Sequence, residues 1–110
     1  MSRIQDLEAQ KADLQKQVEL RDQILKLSGN HAFRKVINEG FLRDEAARSI
    51  RMAGEPTLTA QEKSGLVEMA LAAGHPQRYL SANVQMGNQA ANTITQIDEA
   101  LEELRAEGAE

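Results

Sequence analysis

Two stretches near the ends of the chain repeat apolar residues at heptad spacing, and this pattern constrains the fold most strongly. The first, residues 1–27, has no glycine or proline and alternates acidic and basic side chains. Lys11 and Arg21 occupy two places of its stripe, and the apolar members are Ile4, Leu7, Leu14, Val18 and Leu25. The pattern predicts a long, coiled-coil-like helix with a narrow seam. A second apolar stripe widens the seam only in the last two turns, at Leu20, Ile24 and Leu27.

The segment after Pro76 predicts a second long helix that ends at about Ala106. Its stripe recurs every three or four residues, at Leu80, Val84, Gly87, Ala91, Ile94, Ile97, Leu101 and Leu104. A glycine in a helix interior costs about 1 kcal/mol relative to alanine, so Gly87 needs a compensating role. With Ala90 and Ala91 it predicts a small-residue patch where another backbone approaches closely, within the chain or between subunits.

The middle of the chain is interrupted by turn-forming residues. Gly29 ends the first helix, and Asn30 is suited to cap the next one. The spacing then predicts a helix over residues 31–39 with Phe33, Val36 and Ile37 on one face, a stop at Gly40, and a turn at Phe41 and Leu42. Asp44 is the expected cap of a third helix, which Gly54 and Pro56 end. The sequence TAQE at 59–62 predicts a capping box before a fourth helix over 60–73.

These segments predict an all-α, elongated protein in which two long terminal helices enclose three short ones. The 110 residues include two Phe, one Tyr and no Trp, so few large side chains are available for a globular core. We expect Phe33, Phe41 and Leu42 to fix the short helices against the first one. The expected segments are a coiled-coil-like helix at 1–28, short helices at 29–74 and a long helix with an acidic end at 75–110.

Charge is unevenly distributed along the chain. The first 28 residues carry five basic and five acidic side chains, and the remainder after residue 52 carries three basic against nine acidic ones. Residues 29–52 carry a net positive charge, with five basic and three acidic side chains. The basic residues are Arg34, Lys35, Arg43, Arg48 and Arg51. A net charge of −4 argues against general nucleic-acid binding. The basic segment is the best candidate for a binding surface, with a protein-facing or merely solvated role favoured over contact with nucleic acid.

A helix-turn-helix is a weaker interpretation of the same segment. The turn EGFLRDE is compatible with one, but the following helix lacks the run of Asn, Gln and Arg that reads bases.

No motif in the chain predicts catalysis, a bound cofactor, a metal or a small-molecule substrate. His31 and His75 lie beside glycines without metal-ligand spacing, and the serines lie outside any nucleophile elbow. The acidic residues 98–107 are interpreted as a solvated helix face. The chain has no cysteine for disulfides. No apolar run approaches the roughly 20 residues that span a bilayer, so no membrane partner is expected. We therefore expect a protein that is not an enzyme.

The block HAFRKVINEGFLRDEAAR, between a long N-terminal helix and an acidic final helix, resembles small uncharacterised proteins of tailed bacteriophages. The matching pattern is F-x-x-v-I-x-x-G-[FY]-L-x-x-E-A-x-R, carried here by Phe33, Val36, Ile37, Gly40, Phe41, Leu42, Glu45, Ala46 and Arg48. The resemblance covers much of the chain in layout, while its specific part is under twenty residues. It implies a small structural or assembly component of a virion and brings no catalytic residues.

The resulting expectation is a non-enzymatic structural or assembly protein, capsid- or head-associated in a tailed phage, that forms a homo-oligomer and binds other virion proteins. Its expected location is the virion or the host cytoplasm. The expected interaction residues are Ile4, Leu7, Leu14, Val18, Leu25, Phe33, Phe41, Gly87, Ala91, Ile94 and Leu101. The alternatives are a soluble helical adaptor or regulator that binds one host or phage protein and, less favoured, a DNA-binding protein.

Overall fold

The structure is a computed structural model that describes residues 2–108, and every element within this range is helical. The elements are α1 (Arg3–Ser28), α2 (His31–Phe33), a π-helical segment (Arg34–Glu45), α3 (Ala46–Ala53), α4 (Ala60–Ala72) and α5 (Gly74–Ala106). The predicted all-α class, with two long terminal helices and shorter ones between them, is confirmed. None of the described helices combines the length and the apolar content that crossing a bilayer requires.

Two predicted helix caps are confirmed. The Oδ1 atom of Asn30 accepts a hydrogen bond from the backbone N–H of Phe33 at 2.9 Å, at the start of α2. At the start of α4, the N–H of Glu62 donates to Oγ1 of Thr59 and the N–H of Thr59 donates to Oε1 of Glu62, each at 3.1 Å. These bonds satisfy amide groups that have no partner inside the helix. The predicted stop at Gly54 is also confirmed, since α3 ends at Ala53.

The predicted break at Gly40 is wrong. The segments α2, π and α3 follow one another without interruption, so the chain is helical from His31 to Ala53. Asp44, the expected cap, lies inside this helix, where its carboxylate accepts a hydrogen bond from Nε of Arg43 at 2.9 Å. A Cβ at Gly40 would lie 3.3 Å from the carbonyl oxygen of Lys35, five residues earlier, which is the acceptor that π-helical bonding uses. Glycine is therefore accommodated inside the helix and does not end it.

The π-helical turns also change which residues face inward. One row of buried and half-buried positions runs at intervals of four, five, four and three residues, through Phe33, Ile37, Leu42, Ala46 and Ser49, and Asn38, Gly40 and Glu45 beside it are also half-buried. Val36 is 63% exposed, whereas Leu42 is 6% exposed. The prediction that Val36 shares one face with Phe33 and Ile37 is therefore wrong. It assumed the period of an α-helix, which is about 3.6 residues per turn.

The described chain divides into two compact units, the first made of residues 2–25 and 82–108. In this unit α1 and α5 run antiparallel, since Glu8 contacts Arg105 and Arg21 contacts Asn88. A small apolar core holds the pair together, with Leu7, Leu14 and Leu104 packed against Ile4, Ile97 and Leu101. The α5 stripe from Val84 to Leu104 is buried or half-buried throughout, as predicted.

Gly87 is a point of close approach between α5 and α1. The residue is buried, and a Cβ built on it would overlap Cβ of Arg21 and lie 3.0 Å from Cγ of the same side chain. Bonded geometry fixes the Cβ of Arg21, so the contact is not relieved by moving a flexible tip. The absence of a side chain at Gly87 therefore permits this approach of α1, in keeping with the role predicted for the glycine.

The second unit comprises Lys26–Ser81, and in it α3 packs against α4. Its buried side chains are Leu42, Ser49 and Ala73. Phe41 is 48% exposed and lies at the edge of a cavity of about 160 Å³ that Met69 and Ala72 also line. The turn that Phe41 and Leu42 were expected to form is absent, because both lie inside the π-helical segment. Leu42 occupies the buried place, and Phe41 has half of its surface in solvent.

We predict that Gly87→Ala lowers the free energy of unfolding, although alanine is the better helix former. The added methyl group has to displace α1, and overpacking of this kind costs about 1–3 kcal/mol. Gly65→Ala in α4 is the matched control, because nothing lies within 4 Å of its added Cβ, and there the propensity gain of about 1 kcal/mol should appear. Urea unfolding followed by circular dichroism measures both. Equal stabilisation by the two changes would contradict the close contact at Gly87.

A second prediction separates Leu42 from Phe41. Leu42→Ala should lower the free energy of unfolding by about 2–5 kcal/mol, the usual range for a buried leucine. Phe41→Ala should cost clearly less, because half of that ring already lies in water. Thermal melts of the two variants against the parent compare them directly, and a larger loss for Phe41 would contradict the observed burial.

Candidate protein interaction surfaces

Most of the expected interaction residues of the terminal helices contact each other within the chain. Ile4 and Leu101 belong to the core of the first unit, Leu7 and Leu14 pack against it, and Gly87 meets Arg21. The others are more accessible: Leu25 is 52% exposed, Phe41 is half exposed, and Phe33, Val18, Ala91 and Ile94 are half-buried. The heptad stripes of α1 and α5 thus pack against each other within one chain. A surface for another chain would therefore lie beside these stripes.

The two polar residues of the α1 stripe each have a partner on α5. Nζ of Lys11 lies 2.5 Å from Oδ1 of Asp98, and Nη1 of Arg21 donates to Oδ1 of Asn88 at 3.0 Å. Arg21 also forms an ion pair with Asp22. Polar residues in a coiled-coil seam specify register, because a shifted helix would leave them unpaired. The sequence pattern marks both positions, but it does not identify their partners.

A groove free of charged residues runs along one side of the α1–α5 pair, and we call it the hairpin groove. It encloses about 380 Å³ and is lined by Leu14, Gln17, Met86, Gln89, Ala90 and Thr93. Met86 is 47% exposed in this groove. The Oε1 atom of Gln17 is buried and has no hydrogen-bond partner within the described residues. The apolar period does not reveal Gln17, Gln89 and Thr93, because polar side chains do not contribute to it, and Met86 lies outside the predicted stripe.

A second shallow groove encloses about 430 Å³ and is lined by Gln15, Val18, Glu19, Ala91 and Ile94. It contains three of the expected interaction residues, Val18, Ala91 and Ile94. Unlike the hairpin groove, it includes a charged side chain, Glu19. A partner that covers it has to leave this carboxylate in solvent or pair it, because an unpaired buried charge is costly.

The basic middle segment forms a third surface, which we call the arginine groove. It encloses about 400 Å³ and is lined by Arg48, Arg51, Met52, Glu55 and Leu58. Nη1 of Arg48 lies 2.9 Å from the sulfur of Met52. Two guanidinium groups therefore stand beside an apolar floor made by a methionine and a leucine.

Glu45 holds Arg48 in place on α3. Nε of Arg48 donates to Oε2 of Glu45 at 3.1 Å, and Nη2 of Arg48 donates to Oε1. The hydrogen bond from Arg48 lowers the pKa of Glu45, and the same bond raises the pKa of Arg48. Arg43 lowers the pKa of Asp44 in the same way. The carboxylate of Glu45 thus orients Arg48, while Arg51, the second cation of the groove, forms no ion pair among the described residues.

The structure gives no grouping suited to a metal ion within residues 2–108, where no three His, Cys, Asp or Glu side chains lie together. His31 and His75 are both exposed, and Nδ1 of His75 lies 3.0 Å from Nη2 of Arg78.

Comparison of the chain with protein-family models, with curated proteins and with solved structures finds no match. The function is therefore inferred from the surfaces themselves.

The pairing of Glu45 with Arg48 leads to a pH-dependent prediction. A lowered pKa means that the pair contributes stability above the ordinary pKa of glutamate, and that this contribution is lost as the pH falls through the lowered value. Arg48→Gln should raise the pKa of Glu45 towards its ordinary value, as measured by an NMR titration of the side-chain carboxyl carbons. Arg43→Gln is the control, since it should raise the pKa of Asp44 and leave that of Glu45 in place. An unchanged pKa of Glu45 in Arg48→Gln would show that the pair does not form.

Proposed function

We propose that the protein is a non-enzymatic structural or assembly protein that associates with copies of itself through the hairpin groove. The observation that carries the proposal is the absence of charge from this groove, in a chain with 13 basic and 17 acidic side chains. Interface centres are typically depleted of charge and enriched in methionine, and Met86 lies half exposed in the groove.

A second copy is the favoured occupant because a twofold axis places the same uncharged groove on both sides of the contact. The exposed Met86 and Gln89 line the groove and are accessible to another chain. No opposite charge has to be supplied by a different partner. The resulting contact joins two helical pairs into a four-helix arrangement.

The setting proposed for this association is the particle of a tailed bacteriophage, as a capsid- or head-associated component. It is supported by the resemblance of the 31–48 block to small phage proteins, and by the interaction surfaces that run along the helices. The competing proposal is a soluble adaptor that binds one host or phage protein through the basic segment. The arginine groove supports this alternative, because Arg51 lines it without an ion pair among the described residues and Met52 and Leu58 provide an apolar floor.

We predict that Met86→Glu abolishes self-association while leaving the chain folded, because it places a charge at the centre of an uncharged contact. Gln85→Glu is the matched control, since it adds the same charge at the neighbouring exposed residue outside the groove. Sedimentation equilibrium gives the mass of each variant, and circular dichroism verifies its helix content. A wild-type chain that sediments as a monomer, or a Met86→Glu variant with the wild-type mass, would overturn the proposal.

The two settings are separated by a fractionation experiment. A tagged chain expressed during phage infection should co-sediment with particles in a density gradient if it is a virion component. An adaptor should instead stay in the soluble fraction with one partner, and it should lose that partner in Arg51→Glu.

A further inference from the structure

The three methionines that the structure describes each line a different groove or cavity. Met52 lines the arginine groove, Met69 lines the cavity beside Phe41, and Met86 lines the hairpin groove. All three residues are partly in solvent, with exposed fractions between 43% and 57%. Methionine is an adaptable residue that recurs at binding surfaces, and its thioether sulfur is reversibly oxidised by peroxides. Because the chain has no cysteine, methionine is its side chain for reversible oxidation.

The sulfur atoms of these methionines differ in their surroundings. The sulfur of Met52 accepts a hydrogen bond from Nη1 of Arg48 at 2.9 Å. Oxidation uses a lone pair of the sulfur to attack a peroxide oxygen, so a lone pair held by a guanidinium group reacts less readily. No donor among the described residues holds the sulfur of Met86 in this way. The sulfur of Met86 is therefore the more reactive of the two.

Met86 is the large apolar side chain that the hairpin groove exposes to solvent. Leu14, the other large apolar side chain of the groove, is half-buried, and Ala90 is buried. The remaining residues of the lining are polar and uncharged. A change of Met86 from apolar to polar therefore removes the exposed apolar side chain on which the proposed contact depends.

We propose that oxidation of Met86 to methionine sulfoxide switches off self-association through the hairpin groove. The inference rests on the proposed function and adds the regulation of the same surface. The sulfur lone pair forms a bond to one oxygen of hydrogen peroxide, and the O–O bond breaks. The departing hydroxide takes the proton of the transferred oxygen and leaves as water. The sulfur is oxidised by two electrons and the peroxide is reduced by two.

The sulfoxide changes what the contact has to bury. Its oxygen is a hydrogen-bond acceptor, which water satisfies in the free chain. A contact between two uncharged grooves displaces this water, and a buried polar group without a partner is costly. Because a twofold contact uses the same groove of both copies, the cost arises twice. Oxidation should therefore weaken association by roughly tenfold or more.

Association and oxidation compete for the same side chain. Met86 is exposed in the single chain and is covered in the proposed pair, so peroxide should react with it mainly before association. The oxidation of Met86 should therefore slow as the protein concentration rises. Met69 lies in the second unit and is the internal reference. Peptide mapping by mass spectrometry measures the oxidised fraction of each methionine.

The experiment treats the full-length chain with hydrogen peroxide and follows its mass by sedimentation equilibrium. The mass should shift towards that of the monomer, while circular dichroism shows unchanged helix content. Reductases for both sulfoxide epimers, supplied with a thiol reductant, should restore the dimer. Met86→Gln, which introduces a polar side chain without any oxidant, should weaken association in the untreated protein.

The matched control is the double variant Met52→Leu with Met69→Leu, which conserves side-chain volume and keeps Met86. Neither changed residue lies in the hairpin groove, so the dimer of this variant should respond to peroxide as the wild-type dimer does. A double variant that no longer responds would assign the effect to Met52 or Met69 and overturn the inference.

The other outcomes separate this inference from the proposed function. A dimer that keeps its mass after Met86 is oxidised would overturn the inference and leave the hairpin contact standing. The inference also fails if Met86 resists peroxide at every protein concentration, or if a chain that does dimerise shows the same rate of Met86 oxidation at all of them. A wild-type chain that sediments as a monomer before treatment would overturn the proposed function and the inference together.

Discussion

The absence of a side chain at Gly87 is the constraint on which the α1–α5 pair depends. Any Cβ there would collide with Cβ of Arg21, so the approach of the two helices and the glycine require each other. The Lys11–Asp98 ion pair then fixes the register, two turns or more away along the same seam. Gly87 sets the distance between the two helices, and the Lys11–Asp98 pair sets their alignment along the helix axes. The small apolar core at Ile4, Ile97 and Leu101 supplies burial but little specificity of register, since aliphatic side chains tolerate shifted neighbours.

A pair of helices that closes its seam within one chain leaves its flanks uncovered. Each helix has one stripe facing the other, and the residues on either side of the stripe are only half shielded. In this chain the two flanks differ in chemistry. The hairpin groove contains leucine, glutamine, threonine, methionine and alanine without charge, while the second groove contains Glu19. The uncharged flank loses less on desolvation, which is why it is the better surface for a stable partner.

Features that depend on local sequence were predictable, and those that depend on hydrogen-bond register were not. The caps at Asn30 and Thr59 and the α5 stripe follow from side-chain chemistry and from an α-helical period, and the structure confirms them. The π-helical segment does not follow, because a shift of each hydrogen bond by one residue leaves no compositional trace and moves Val36 outward. Gly40 predicted the end of a helix, whereas the π-helical segment continues through this residue. The arginine groove was partly predictable, since the basic segment marked Arg48 and Arg51, but the contribution of Leu58 depends on how the chain returns after Pro56.

The proposed twofold contact at the hairpin groove differs in its physics from the ion pairs of the surface. Packing in an uncharged groove is little affected by salt, whereas exposed ion pairs such as Glu45–Arg48 are screened by it. A twofold contact also closes after two copies, because the same groove is used on both sides. In the basic middle segment Arg43 and Arg48 each pair with an acidic neighbour, Asp44 and Glu45, so Arg51 is the cation of the arginine groove left without a local ion pair among the described residues.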